Sequence, residues 1–413
     1  MTDAVAHVSD RYRQRELVAS SFFEREAERL AELCHLMARR FARGGRLIAF
    51  GAGAAATDAQ HVAVEFVHPV IVGKRALPAV ALVNDVSMLG AAMVDPDGLF
   101  ARRLELVGAP EDIAIGMMHG VDDPGETAVA VALKQASAQG MLPLWLGVDA
   151  DVDAGTTEHR FAVASDDPFV VQEIHETLYH VLWELVHVFF EHKGLLEDRV
   201  PGHAHDAGRS SFLYPFLAEA GSDPSNVLEQ VMGSILDKVA DVTTMRNASV
   251  DPPALVDTAR LISERIGAGG KVLAFGNGGS ATDAQDLVVD LLTPPRHMSS
   301  VPAISLTNDD AIVTAVGNDV GFDNVFARQV IAYGRPEDVA VAISTSGGSR
   351  NLIVAVEEAK RRGLLTVAFV GYGGGRLAEL CDRVHTIDAE YIPRIQETQA
   401  TQYHLVREAF DRV

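Results

Sequence analysis

Asp58, His61 and Glu65 stand at i, i+3 and i+7 in the run DAQHVAVE, so a helix puts all three on one face. His61 and Glu65 are four apart and can reach one metal ion or one substrate. Gln172 and His180, within QEIHETLYH, are eight apart. Eight residues turn about 80° past two full turns, so both can border one cleft. The same places recur later in the chain as Asp283, Asp286 and Asp290, and as Gln396 and His404. Carboxylates, imidazoles and amides in this pattern suit proton transfer or metal binding.

A second set of residues suits a phosphate. Gly276-Asn277-Gly278-Gly279-Ser280 follows an apolar run of strand length, Lys271–Phe275. Ser344-Thr345-Ser346-Gly347-Gly348-Ser349 follows another, Val339–Ile343, and precedes a helical stretch. Hydroxyls and free backbone N–H groups at a helix start hold an anion without a positive side chain. Asn318-Asp319, within AVGNDVGF, is expected at the same strand ends. Neither glycine loop completes G-x-G-x-x-G, because Ala281 and Ala56 take the third glycine position, and no nucleotide cofactor is implied.

These residues belong to a tandem repeat. RLIAFGAGAAATDAQHVAVE at 46–65 and KVLAFGNGGSATDAQDLVVD at 271–290 are one text, with Gly51 standing where Gly276 stands. Each reads as strand, glycine turn and helix. In the first copy Ala52, Ala54 and Ala55 replace Asn277, Gly279 and Ser280. Matching Pro110-Glu111-Asp112 to Pro336-Glu337-Asp338 places Met118, His119, Gly120 and Asp123 opposite Ser344, Thr345, Ser346 and Ser349. Acidic Asp122 and Asp123 repel phosphate there. Each copy is thus incomplete in a different way.

Strand and helix alternate, which predicts two α/β/α domains, each a flavodoxin-like parallel sheet of about five strands with helices on both faces. The expected bounds are a first domain at 1–194, a connector rich in Gly, Pro and Ser at 195–225, and a second domain at 226–413. Helices are expected from about Ser9 to Arg43, over Phe169–Glu191, from about Asn226 to Ile266 with a break near Pro252-Pro253, and over Arg394–Val413. Ligands in such sheets sit beyond the carboxyl ends of the strands.

The chain has 413 residues and a formal net charge of −22. An acidic surface argues against sequence-independent nucleic-acid binding. Only two cysteines occur, so a reducing compartment is expected rather than a disulfide framework. The polar start predicts no leader, and no apolar run reaches membrane length, so a cytoplasmic protein is expected.

Together the motifs resemble the sugar isomerase (SIS) domain family and, within it, the phosphoheptose isomerase group. GNGGS at 276–280, PAISLTND at 302–309, GND at 317–319, STSGGS at 344–349 and RIQE at 394–397 carry the resemblance, with DAQHVAVE and QEIHETLYH in the first copy. It implies isomerisation of sedoheptulose 7-phosphate to a heptose 7-phosphate. It implies Glu65 as general base, His180 as general acid, and a zinc ion held by His61, Glu65, Gln172 and His180. It also implies substrate contacts at Asn277–Ser280, Asn318, Asp319, Ser344, Thr345, Ser346, Ser349, Gln172, Gln396 and His404. Family members associate as dimers of dimers with interfacial sites. A homodimer of four domains is therefore expected, in which the first copy's catalytic face works on a phosphate held by the second copy's loops. The competing expectation is a non-catalytic SIS protein that binds a sugar phosphate or a protein partner.

Overall fold

The computed structural model describes residues 2–70, 74–85, 95–120, 125–148, 157–191, 196 and 224–413. All but three residues of the connector expected at 195–225 lie outside these, as do Asp122 and Asp123. Two compact units emerge, one of Val18–Ala240 and one of Met1–Leu17 with Asp241–Val413.

The first unit is built on five parallel strands, β1 (Leu47–Gly51), β2 (Ala79–Ala81), β3 (Ile113–Met117), β4 (Leu142–Val148) and β5 (His159–Val163), in the order β2-β1-β3-β4-β5. β1 and β3 are buried along their whole length, as parallel strands covered on both faces must be. Helices α2 (Ala55–Val67), α3 (Ala101–Val107), α4 (Glu126–Ala138) and α5 (Pro168–Glu191) connect or cover them. The long helix α1 (Thr2–Ala42) adds Phe22, Phe23, Leu30, Leu33, Met37 and Phe41 to this core at helical spacing. Helix α6 (Pro224–Ser249) adds Val227, Val231, Ile235 and Val239.

The second unit repeats the plan. Strands β6 (Val272–Phe275), β7 (Ala303–Ser305), β8 (Val339–Ser344), β9 (Leu365–Val370) and β10 (Arg383–Thr386) run parallel in the order β7-β6-β8-β9-β10. Its helices are α7 (Pro252–Gly267), α8 (Gly279–Leu292), α9 (Asp310–Asp319), α10 (Val325–Tyr333), α11 (Arg350–Arg361), α12 (Gly375–Leu380) and α13 (Ile392–Phe410). Asp251 caps α7 by accepting from the Ala254 N–H at 3.2 Å, and prolines open the helix, so the break expected there is a fresh start. Ala4 and Val8 of α1 pack into this second core. The first helix therefore begins earlier than the sequence indicates and serves both units.

One device fixes the same strand pair in both units. Buried Asp112 accepts from the Arg46 N–H at 2.7 Å, from Arg46 Nη2 at 2.7 Å and from the Ala109 N–H at 3.0 Å. Asp338 does the same with the Lys271 N–H at 2.9 Å, Lys271 Nζ at 2.6 Å and the Arg335 N–H at 2.9 Å. Its recurrence supports the match of the two Pro-Glu-Asp runs.

His385 on β10 is buried, stacks on Phe369 and lies 2.9 Å from the Thr258 hydroxyl through Nε2. Burial pushes its pKa down to about 4, with Asp251 opposing and Arg383 assisting. A histidine held neutral in the fold stabilises it fully above the unfolded pKa of about 6.5, and that stability is lost as pH falls toward 4. Denaturant midpoints measured between pH 7 and pH 4.5 are expected to fall more steeply for the native chain than for His385→Gln. Parallel curves would show that His385 does not couple folding to protons.

Candidate active site

Helix α2 starts at the end of β1, and the turn between them needs glycine. Gly53 has φ +58°, as does Gly278 at the matching turn between β6 and α8. A Cβ on Gly276 would stand 2.1 Å from the Ser280 carbonyl oxygen. The turns aim α2 and α8 so that Asp58, His61, Glu65 and their counterparts Asp283, Asp286, Asp290 are all buried.

In the first domain His61 Nε2 lies 3.8 Å from Glu65 Oε1, and the His61 and His180 ring centroids are 5.3 Å apart. One ligand atom from each of His61, Glu65 and His180 falls within 4.8 Å of the others. Burial, reinforced by His180, holds the His61 pKa well below its ordinary value. Burial also pushes Glu65 up to about 7, with His180 lowering it and Glu184 raising it. Glu184 is itself paired with Lys238. Glu65 Oε2 and Gln172 Oε1 are buried and meet no hydrogen-bond donor among the described residues.

Gln172 and His180 reach different parts of α2. Gln172 Nε2 donates to Asp58 Oδ1 at 3.2 Å, while His180 lies beside His61. The Tyr179 hydroxyl also donates to Asp58 Oδ1, at 3.4 Å. His119, which sequence matching reads as part of a lost phosphate loop, turns inward and places Nε2 2.7 Å from Asp58 Oδ2. His175 lies behind it, with ring centroids 5.5 Å apart. Sequence reasoning passed over both Tyr179 and His175, although His175 is three residues from Gln172 and so shares its helix face.

The second domain differs where the residues differ. His404 Nε2 lies 3.3 Å from Asp286 Oδ2 and 3.2 Å from Asp290 Oδ2. The Tyr403 hydroxyl donates to Asp286 at 3.0 Å. Gln396 is buried on the same helix, α13. The glycine loops sit where expected, beyond β6 and β8. Asn277 and Asn351 exchange two amide hydrogen bonds, of 2.9 and 2.8 Å, and tie the two loops together. Asn351 is a residue the sequence reading missed, and Ala52 removes the first-copy equivalent of its partner.

The Ser344 hydroxyl accepts from the Gly347 N–H at 3.1 Å, and the Ser346 hydroxyl from the Gly348 N–H at 3.3 Å. Gly347 has φ +62°, and a Cβ there would meet the Gly374 carbonyl oxygen at 2.0 Å. Ser344 is buried and Ser346 exposed, so the loop opens outward at the N-terminus of α11, with Thr345 and Ser349 half-buried. Asn318 and Asp319 correct one expectation. They end helix α9 rather than a strand, are exposed, and bond to each other at 2.7 Å. The apolar DAIVTAV before them continues as helix, which carries the pair away from a strand terminus.

The two imidazoles and one carboxylate of His61, His180 and Glu65 could hold a metal ion such as zinc. The Glu65 oxygen left without a donor is the observation that carries this fit.

A model of the SIS domain matches residues 12–142 and 240–371. The phosphoheptose isomerase of Rhodospirillum rubrum is 43% identical over 157 residues, which are 37% of this chain and 82% of the relative. That of Thermodesulfovibrio yellowstonii is 41% identical over 158 residues, 38% of this chain and 79% of the relative. The solved C-terminal domain of glucosamine-fructose-6-phosphate aminotransferase from Francisella tularensis covers 96% of this chain and 92% of itself, with a TM-score of 0.57 at 9% identity, a likeness of fold alone. No helix among the described residues is long and apolar enough to cross a membrane. With two matched segments, two sheets of one strand order and relatives of single-domain length, the chain belongs to the SIS domain family, carries two such domains in tandem, and is homologous to phosphoheptose isomerases over part of its length.

Proposed function

We propose that the chain is an aldose–ketose isomerase that interconverts sedoheptulose 7-phosphate and a heptose 7-phosphate. The observation that carries the reading is the buried group of Glu65, His61 and His180 in the first domain. Moving a carbonyl between C1 and C2 requires a base to take a proton from carbon and an acid to protonate oxygen. Glu65 is the base. Without a metal, burial raises its pKa to about 7, close to the pH at which a general base works. Its two oxygens divide their tasks, since Oε1 faces His61 while Oε2 meets no donor among the described residues. His180 is the acid. Gln172 is held by Asp58, which fixes its amide. A zinc ion on His61, Glu65, Gln172 and His180 would supply electrophilic polarisation of the carbonyl. In the second domain, Asn277–Ser280, Ser344–Ser346 and Ser349 are assigned to the phosphate, and Gln396 and His404 to the sugar.

Purified full chain incubated with sedoheptulose 7-phosphate, with and without zinc, is expected to yield a new heptose phosphate. Absence of turnover in both conditions removes the proposal. Gly347→Ala is expected to raise KM about tenfold or more while kcat stays within about threefold, because phosphate contacts bind substrate and transition state alike. An unchanged KM would take the Ser344–Ser349 loop out of substrate binding. A second reading, sugar-phosphate binding without turnover, is favoured in the second domain by Asp286 and Asp290. Their shorter arms set the carboxylate back by about one bond relative to Glu65.

A further inference from the structure

The first domain holds another buried cluster, of which the isomerisation chemistry uses only Asp58, and that only to hold Gln172. Asp58 on α2, His119 after β3 and His175 on α5 each present a ligand atom, all within 4.8 Å of one another. They are 1%, 4% and 0% exposed. Asp58 Oδ2 faces His119 at 2.7 Å, while Oδ1 accepts from Gln172 and the Tyr179 hydroxyl. Outer donors of this kind orient the carboxylates that ligate metals.

His175 supplies a second, independent observation. Its ring is fully buried, the Gly147 backbone meets at most one of its nitrogens, and the other has no hydrogen-bond partner among the described residues. Burial, with His119 nearby, keeps this imidazole neutral, the form that ligates metals.

We propose that Asp58, His119 and His175 bind a divalent transition-metal ion, separate from the zinc assigned to His61, Glu65, Gln172 and His180. Two imidazoles and one carboxylate select an ion of the zinc or cobalt type over magnesium or calcium. Three protein ligands leave a fourth position for water. Ligands on a tetrahedral ion at ~2.0–2.1 Å stand ~3.3 Å apart, so His119 moves off Asp58 by roughly half an ångström and gives up its shared proton. The second domain has Asp283, Thr345 and Gln399 at the matching places. There the Gln399 amide donates to the Ser344 and Phe369 carbonyls, at 3.1 and 3.0 Å, and serves the fold. The site is thus peculiar to the first copy. It occupies the place where the second copy keeps its phosphate loop.

The test is cobalt stoichiometry of the full chain, stripped by chelation and reloaded with Co²⁺ alone. His119→Thr and His175→Gln install the residues already present at the matching places of the second domain, so circular dichroism should report a folded protein. Each is expected to bind one equivalent less than the native chain. The His61→Ala/His119→Thr pair is expected to bind less than His61→Ala by the same equivalent. If His119→Thr and His175→Gln both keep the full complement, the site is overturned. It is also overturned if the double variant loses no more than His61→Ala, since one ion then serves both clusters. Full cobalt in His61→Ala, with one equivalent lost in His119→Thr, removes the zinc assignment and leaves this site standing.

Discussion

Glu65→Gln is expected to lower kcat for the proposed isomerisation by about 10²–10⁴-fold, the usual contribution of a positioned general base. The substitution keeps the side chain's volume, and removes both the capacity to take a proton and the negative charge toward the proposed zinc ion. KM is expected to stay within a few-fold, because the loss is of an interaction made in the transition state. Combining it with His180→Asn should cost little more than either change alone, since base and acid act on one proton-transfer path. Initial rates with sedoheptulose 7-phosphate decide the matter. A Glu65→Gln enzyme at native rate, with Asp290→Asn inactive, would move catalysis to the second domain.

Arg15→Ala is expected to destabilise the second domain by about 3 kcal/mol, the low end of what removing one partner of a buried ion pair costs. Arg15 and Glu408 are both almost wholly buried and meet at 2.9 Å. Arg11 Nε lies 2.8 Å from the other Glu408 oxygen and keeps the carboxylate partly compensated, which limits the loss. Burial opposes the charge on Glu408, and Arg15 and Arg11 outweigh it, so its pKa lies below the ordinary value. Arg11→Ala removes a more exposed partner and is expected to cost about 1 kcal/mol or less. Urea midpoints of the two variants should rank in that order, and equal midpoints would show that the buried contact is not special.

The repeat, the fold class and the buried face of Asp58, His61 and Glu65 were legible because each rests on local pattern. Short apolar runs followed by glycine turns mark the buried strands, and Asp58, His61 and Glu65 recur at helical spacing. The edge strands His159–Val163 and Arg383–Thr386 escaped because exposure on one side admits His and Arg into them. Asn351 was invisible because its partner Asn277 is remote in sequence and only folding joins them. His119 was read as the remnant of a lost loop. Matching the copies shows what a position has ceased to be, but its new partner, Asp58, lies on a different element. The GND run was placed at a strand end, whereas helical residues before it govern its position.

The packing of Met1–Leu17 with Asp241–Val413 bears on the order in which the molecule matures. Ala4, Val8 and Arg15 leave the ribosome long before the second core and the Glu408 carboxylate that they join. Domains generally fold as units during synthesis, N-terminal first. The first domain can close around Phe22–Phe41 while the leading turns of the same helix still lack their partners. The second domain is thus assembled on a segment made before the first domain. A fragment beginning at Asp241 would lack that segment, and its α13 would expose Glu408 without either arginine.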